Sequence, residues 1–329
     1  MGGSVSEDGR ILPRGKAETL PFGHLVAGRH RRRRIEIGRE MQMSDMDRRS
    51  GLVDISSLCA RVYFSRPDSL PRSRRLPPML QALYSFRVTT VGLVGGLGPE
   101  STIDYYRRIL DGWAKHDASS SPSIVIDSLD ATLGLRLVAE DRQALTEYLL
   151  GSIRRLTGAG VDFIAMTANT AHLVYDELSA QSSVPMLSIV EVCAEEARRR
   201  GLARLLLLGT RFTMQADFYR EVCARHGVDV VAPREDECTW MHARYVDELL
   251  KGVFLDSTRE EFIAAITRLR DRERVDGIIL GGTELPLLLR ARVIADLPVL
   301  DTTELHVAAI VRRLRETAPL VASRASGQE

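Results

Sequence analysis

Four short segments, with Lys251 and Asp130, hold the residues whose types and spacing suit chemistry. Gly95-Gly96-Leu97-Gly98-Pro99-Glu100-Ser101-Thr102 is a glycine turn leading out of an apolar run. Glycines let backbone approach a ligand, and free N–H groups at a helix start favour an anion. Leu97 and Gly98 would be the backbone donors. The spacing is not the GxGxxG dinucleotide register, and no GxxxxGK[ST] follows, so the turn gives only weak support for a nucleotide. A tight strand-to-helix turn is the plain alternative. Thr167-Ala168-Asn169-Thr170-Ala171-His172 carries an amide and hydroxyls that could hold a carboxylate or cap a helix. His172 reads as a general base or as a buried, hydrogen-bonded histidine. Leu208-Gly209-Thr210-Arg211-Phe212-Thr213 adds Thr210. Gly281-Gly282-Thr283-Glu284-Leu285-Pro286 offers Thr283 as an N-cap or a ligand, and Glu284 as a first-turn acid or a partner for a substrate ammonium. Lys251, closing a helix before Gly252, is a solvated charge or a partner for a substrate carboxylate. Together these groups suit binding of a small carboxylate with acid–base chemistry beside it. His172, Glu284 and Asp130 are the titrating candidates.

The elements that must position these groups are short apolar runs alternating with amphipathic stretches. The runs are Val91–Val94, Ser123–Ile126, Phe163–Met166, Met186–Ile189, Leu205–Leu208, Val228–Val231, Gly277–Leu280 and Val299–Leu300. A helix over about 142–157 places Leu145, Leu149, Ile153 and Leu156 on one face. A second runs Glu191–Arg200 and is stopped by Gly201. A third ends near Arg225, before Gly227. Strands separated by helices imply an α/β fold of parallel βαβ units. The sequence also echoes itself. Val161-Asp162 opens one strand and Val275-Asp276 another, and Ala168 and Gly282 stand at the same distance beyond each Asp. Two similar halves would face one cleft, with ligands beyond the carboxyl ends of the strands.

Composition sets the frame. Of 329 residues, 44% are apolar and 27% charged, the balance of a globular protein. The net charge of +1 argues against nucleic-acid binding by the whole chain, yet it is unevenly spread. Residues 1–87 carry 16 Arg and one Lys against nine acids, with Arg31-Arg32-Arg33-Arg34 at their centre. They read as a disordered basic extension, and the arginine cluster is the one feature that could meet nucleic acid or an anionic surface. Cys59, Cys193, Cys223 and Cys238 show no metal or disulfide spacing. No apolar run nears the roughly 18 residues of a membrane span, and there is no apolar leader segment. A cytoplasmic protein with no membrane partner is the expectation.

At the four turns the sequence resembles the aspartate/glutamate racemase family, over about Thr89 to Arg313. VGLVGGLGPESTIDYYRRI is similar to that family's opening strand and glycine turn. TANTAHLVYDEL and LGGTELPLL resemble its two catalytic turns, and LPVLDTTELH its closing segment. The resemblance implies two flavodoxin-like lobes with parallel sheets, related by a pseudo-twofold, with the active site between them. On that reading the chain divides into an extension at 1–86, lobe 1 at 87–203, lobe 2 with a closing helix at 204–316, and a flexible tail at 317–329. It implies cofactor-independent racemisation of an aspartate- or glutamate-like amino acid, no metal, nucleotide or pyridoxal phosphate, and a homodimer.

In that family two cysteines flank the substrate α-carbon. One thiolate removes the proton, and the opposite thiol delivers another to the far face. A thiol suits this because its pKa lies nearest the working range. Here the two positions are Ala168 and Gly282, which cannot carry a proton. Three readings stay open: a racemase using other groups, with His172 and Glu284 as candidates; a one-sided reaction such as decarboxylation, elimination or isomerisation; and a carboxylate-binding protein without chemistry. In each, Leu97, Gly98, Asn169, Thr170, Thr210, Lys251 and Thr283 are the expected ligand-binding residues.

Overall fold

The computed structural model describes residues 88–316, all within one unit of the chain, Leu76–Glu329. The basic extension and the tail expected at the two ends lie outside the described residues.

The first half runs β1 Thr90–Gly95, α1 Pro99–Ala114, β2 Ser123–Ser128, α2 Ala131–Glu140, α3 Arg142–Gly158, β3 Phe163–Met166, α4 Tyr175–Gln181, β4 Met186–Leu187 and α5 Ile189–Arg199. The second runs β5 Arg204–Gly209, α6 Arg211–Gln215, α7 Phe218–Arg225, β6 Asp229–Val231, α8 Glu235–Asp247, α9 Asp256–Glu273, β7 Gly277–Gly281, α10 Leu285–Leu289, β8 Val293–Ile294, β9 Leu297–Asp301 and α11 Thr302–Glu316. The first sheet is wholly parallel, in the order β2-β1-β3-β4. The second, β6-β5-β7-β9-β8, repeats that order and adds β8 as an antiparallel edge. The central strands are buried on both faces, which is why they read as continuous apolar runs rather than alternating ones.

The echoed aspartates do the same job in each lobe. Asp162 Oδ2 accepts the Thr90 N–H at 2.8 Å, and Asp276 accepts those of Ala203 and Arg204 at 2.8 and 3.1 Å. Each carboxylate joins the start of its lobe's first strand to the start of the third. The turns six residues on therefore emerge side by side at the carboxyl end of their sheets.

The helix at 142–157 forms as α3, with its four face residues no more than 2% exposed. The strand expected over Met186–Ile189 stops at Leu187. Ser188 caps α5 through the Glu191 N–H (3.2 Å), so Ile189 opens a helix instead. The strand over Val299–Leu300 lengthens to Leu297–Asp301. Ala295 and Asp296, both at positive φ, turn the chain tightly between β8 and β9. The closing helices cross between lobes. Val307, Ile310, Val311 and Leu314 of α11 pack on β1 and β3, while Ile189, Val190 and Cys193 of α5 join the core of β5 and β7.

Candidate active site

The carboxyl ends of the two sheets meet at a small cavity of about 40 Å³. Its walls are the turns after β1, β3, β5 and β7, the helix α2, and Tyr245 of α8. As it stands this space holds only a few waters.

Gly282 follows β7 directly with no side chain, and its place is occupied. A Cβ there would lie 2.5 Å from Tyr245 Cε2 and 2.8 Å from the Tyr245 hydroxyl. The hydroxyl donates to Glu284 Oε2, and Thr283 Oγ1 donates to the same oxygen at 3.1 Å. Glu284 is 2% exposed, and its other oxygen, Oε1, lies buried without a hydrogen bond among the described residues. That oxygen stands against Gly98, where a Cβ could not coexist with it. Gly98 has an extended backbone that any residue adopts, so it is the space for Glu284 that calls for glycine. Burial lifts the Glu284 carboxyl above the ordinary range, against the opposing pull of its hydroxyl donors. Burial, with the neighbouring Glu284 carboxylate, pushes the Tyr245 phenol well above its usual value.

The opposite wall has a different character. Ala168 is 8% exposed and belongs to the apolar core of lobe 1 with Val94, Leu145 and Met166. The cavity wall has two titratable side chains, Tyr245 and Glu284, both from lobe 2.

Polar side chains between these walls tie the lobes together. Thr170 Oγ1 lies 2.9 Å from Thr210 Oγ1 and 3.0 Å from Thr213 Oγ1. Asn169 Nδ2 donates to Thr302 Oγ1 at 3.1 Å, and its Oδ1 accepts the Tyr219 hydroxyl at 2.5 Å. The Asn169 amide is thus engaged on both sides, whereas the threonine hydroxyls keep exchangeable partners.

Of the expected ligand-binding residues, Leu97, Asn169, Thr170, Thr210 and Thr283 line the cavity. Gly98 lies just behind it, against Glu284. Lys251 does not line it: the side chain is 63% exposed and pairs with Asp247 at 3.4 Å, while Leu250 turns inward in its place. Of the catalytic candidates, Glu284 is in the cavity and His172 is not among its lining residues. His172 Nε2 accepts the Ile189 N–H at 3.2 Å, which leaves Nδ1 to donate to the Ala168 carbonyl at 3.1 Å. Burial lowers its pKa to about 4, so it is a neutral brace beneath the turn. Asp130 caps α2 through the Thr132 and Leu133 N–H groups. The remaining cysteines lie elsewhere: Cys193, Cys223 and Cys238 are buried, and burial pushes the last two up to about 12 and about 11. Cys59 lies outside the described residues.

Tyr245 escaped the sequence reading. The available signal was helical spacing: Cys238, Met241 and Tyr245 fall on one buried face of α8. A tyrosine there needs a partner for its hydroxyl, and nothing in the sequence pairs it with Glu284.

A model of the family described as Asp/Glu/hydantoin racemase matches residues 94–310. A broad specificity amino-acid racemase of Bacillus subtilis (strain 168) is 27% identical over 219 residues, 65% of this chain and 92% of that protein. The crystal structure of an aspartate racemase homologue from Pyrococcus horikoshii OT3 is 33% identical, with a TM-score of 0.58 over 70% of this chain and 99% of that one. Picrophilus torridus aspartate racemase shares the fold at 22% identity, with a TM-score of 0.57 over 69% of this chain and 94% of that one.

Proposed function

The chain belongs to the Asp/Glu/hydantoin racemase family, and we propose that it is an amino-acid isomerase moving an α-proton through Glu284 and Tyr245 instead of two thiols. The observation that carries this reading is the place of Tyr245. Its ring fills the volume beside the missing side chain of residue 282, and its hydroxyl rests on the one carboxylate of the cavity wall.

In this mechanism the ionised Glu284 takes the α-proton of a bound amino acid. The electron pair left on the α-carbon spreads into the substrate carboxylate, which the cleft's threonine hydroxyls and turn N–H groups hold. Tyr245 stays protonated and, by donating to Glu284, stabilises its ionised form. Inversion takes a proton from a water on the Ala168 face, and the proton held by Glu284 neutralises the hydroxide so formed. A carboxyl lifted above its ordinary range is a better base than an exposed one, because its conjugate acid is closer in strength to the carbon acid. With only about 40 Å³ free, an amino acid enters once the cavity wall yields.

A second reading follows from the Ala168 wall. With no titratable side chain on that side, proton transfer is confined to one face: an isomerisation in which the proton returns by the face it left, an elimination in which it leaves as a β-group departs, or a decarboxylation in which CO₂ leaves and a proton arrives. The test is proton NMR in D₂O with L- and D-amino acids, aspartate and glutamate included, followed by chiral chromatography. Loss of the α-proton signal with inversion supports the racemase. Loss with retained configuration, or a new product, supports one-sided chemistry. A bound ligand with an unchanged α-proton contradicts both and leaves a carboxylate-binding protein.

A further inference from the structure

Building on the proposed α-proton chemistry, we infer that the substrate of this cavity is an α-amino acid with an apolar side chain rather than an acidic one. The argument starts from α2. Ala131, Gly134, Leu135 and Val138 line the cavity, and their spacing of three, four and seven is one stripe of a helix. Leu97 completes this face, packed so closely on α2 that a Cβ on Gly134 would come within 2.8 Å of Leu97 Cδ2. A substrate whose α-carbon sits between Ala168 and Gly282 would present its side chain to this wall.

Charge decides the class. Among the described residues the cavity wall has no Lys, Arg or His, and its one charged group is the Glu284 carboxylate. The nearest sequence candidate for a cation, Lys251, is exposed and already paired with Asp247. One substrate carboxylate can be held by hydroxyls and backbone N–H groups. A second, brought into the same closed space, would meet leucine, valine and a like charge. Burying an unpaired carboxylate against a like charge is strongly unfavourable, whereas a methyl or isobutyl group gains from the same contacts.

Saturation-transfer NMR on the full chain tests this with alanine, valine, leucine and methionine against aspartate and glutamate. Alpha-proton exchange in D₂O is followed in the same tubes. Expected is binding of the best apolar amino acid at least about tenfold tighter than either acidic one. Leu135→Arg, at a half-buried position of the stripe, should reverse that order, and Leu135→Gln should weaken the apolar ligands without helping the acidic ones. Circular dichroism confirms that both variants fold. Aspartate or glutamate binding as tightly as the apolar set, or no apolar amino acid binding, overturns the inference. Apolar binding without exchange leaves it standing and overturns the α-proton reading alone.

Discussion

The Tyr245 ring and a side chain on residue 282 exclude one another, since a Cβ on Gly282 would stand 2.5 Å from Tyr245 Cε2. The Tyr245 ring thus occupies the space that a side chain at residue 282 would take. This exclusion yields the first prediction. Gly282→Cys alone should destabilise the protein by about 1–3 kcal/mol, the usual cost of overpacking. Tyr245→Ala should recover much of that loss in the double variant, measured by urea unfolding as a double-mutant cycle. Additive effects would show that the two positions do not compete for space.

The second prediction concerns Glu284. A carboxyl whose pKa is raised in the fold favours folding at low pH and works against it as pH rises through the folded value. Glu284→Gln removes that ionisation and keeps a similar shape. The variant should be more stable than the natural protein at pH 8, and the difference should shrink toward pH 4. Denaturant midpoints across this range provide the check.

The third prediction runs the other way with pH. Burial holds His172 at about 4 and His306 at about 3, both neutral in the fold. Unfolded histidines protonate near 6.5, so acid favours the unfolded chain. Stability should fall as pH drops from about 6.5 toward 4, by about 3 kcal/mol for His172 alone. His172→Asn should flatten that acid limb while lowering stability at pH 7, because Ile189 and Ala168 lose their bridge.

The fourth prediction addresses the glycine turn. Gly98→Ala should lower stability although its φ and ψ suit alanine, because the new methyl meets the Glu284 carboxylate. In a Glu284→Ala background the same change should cost clearly less. Equal costs in the two backgrounds would separate Gly98 from Glu284.

How much of this was legible in the sequence depends on the range of the interaction. The parallel sheets were readable because strands buried on both faces must be apolar throughout, and Leu205–Leu208 and Gly277–Leu280 differ from the observed strands only at the ends. The Asp162 and Asp276 echo was readable because each acts within its own lobe. Met186–Ile189 misled because Ser188 competes for the backbone as a helix cap, a choice that apolarity does not record. The cleft turns were visible as glycine, threonine and asparagine at strand ends. The side chains that complete them were not. Tyr245 reaches Glu284 from 39 positions away, and Lys251 turns outward while Leu250 turns in. Local pattern carries no information about such long-range partners.

In the proposed chemistry Glu284, assisted by Tyr245, carries the proton. The most direct measurement is the α-proton exchange rate in D₂O for the natural chain, Glu284→Gln and Tyr245→Phe, with the best-binding amino acid. The natural chain should exchange the α-proton above a boiled control. Glu284→Gln should lose at least about a hundredfold, and Tyr245→Phe should lose less, with the acid limb of the pH–rate profile moved to higher pH. Exchange at the natural rate in Glu284→Gln would rule out Glu284 as the proton carrier.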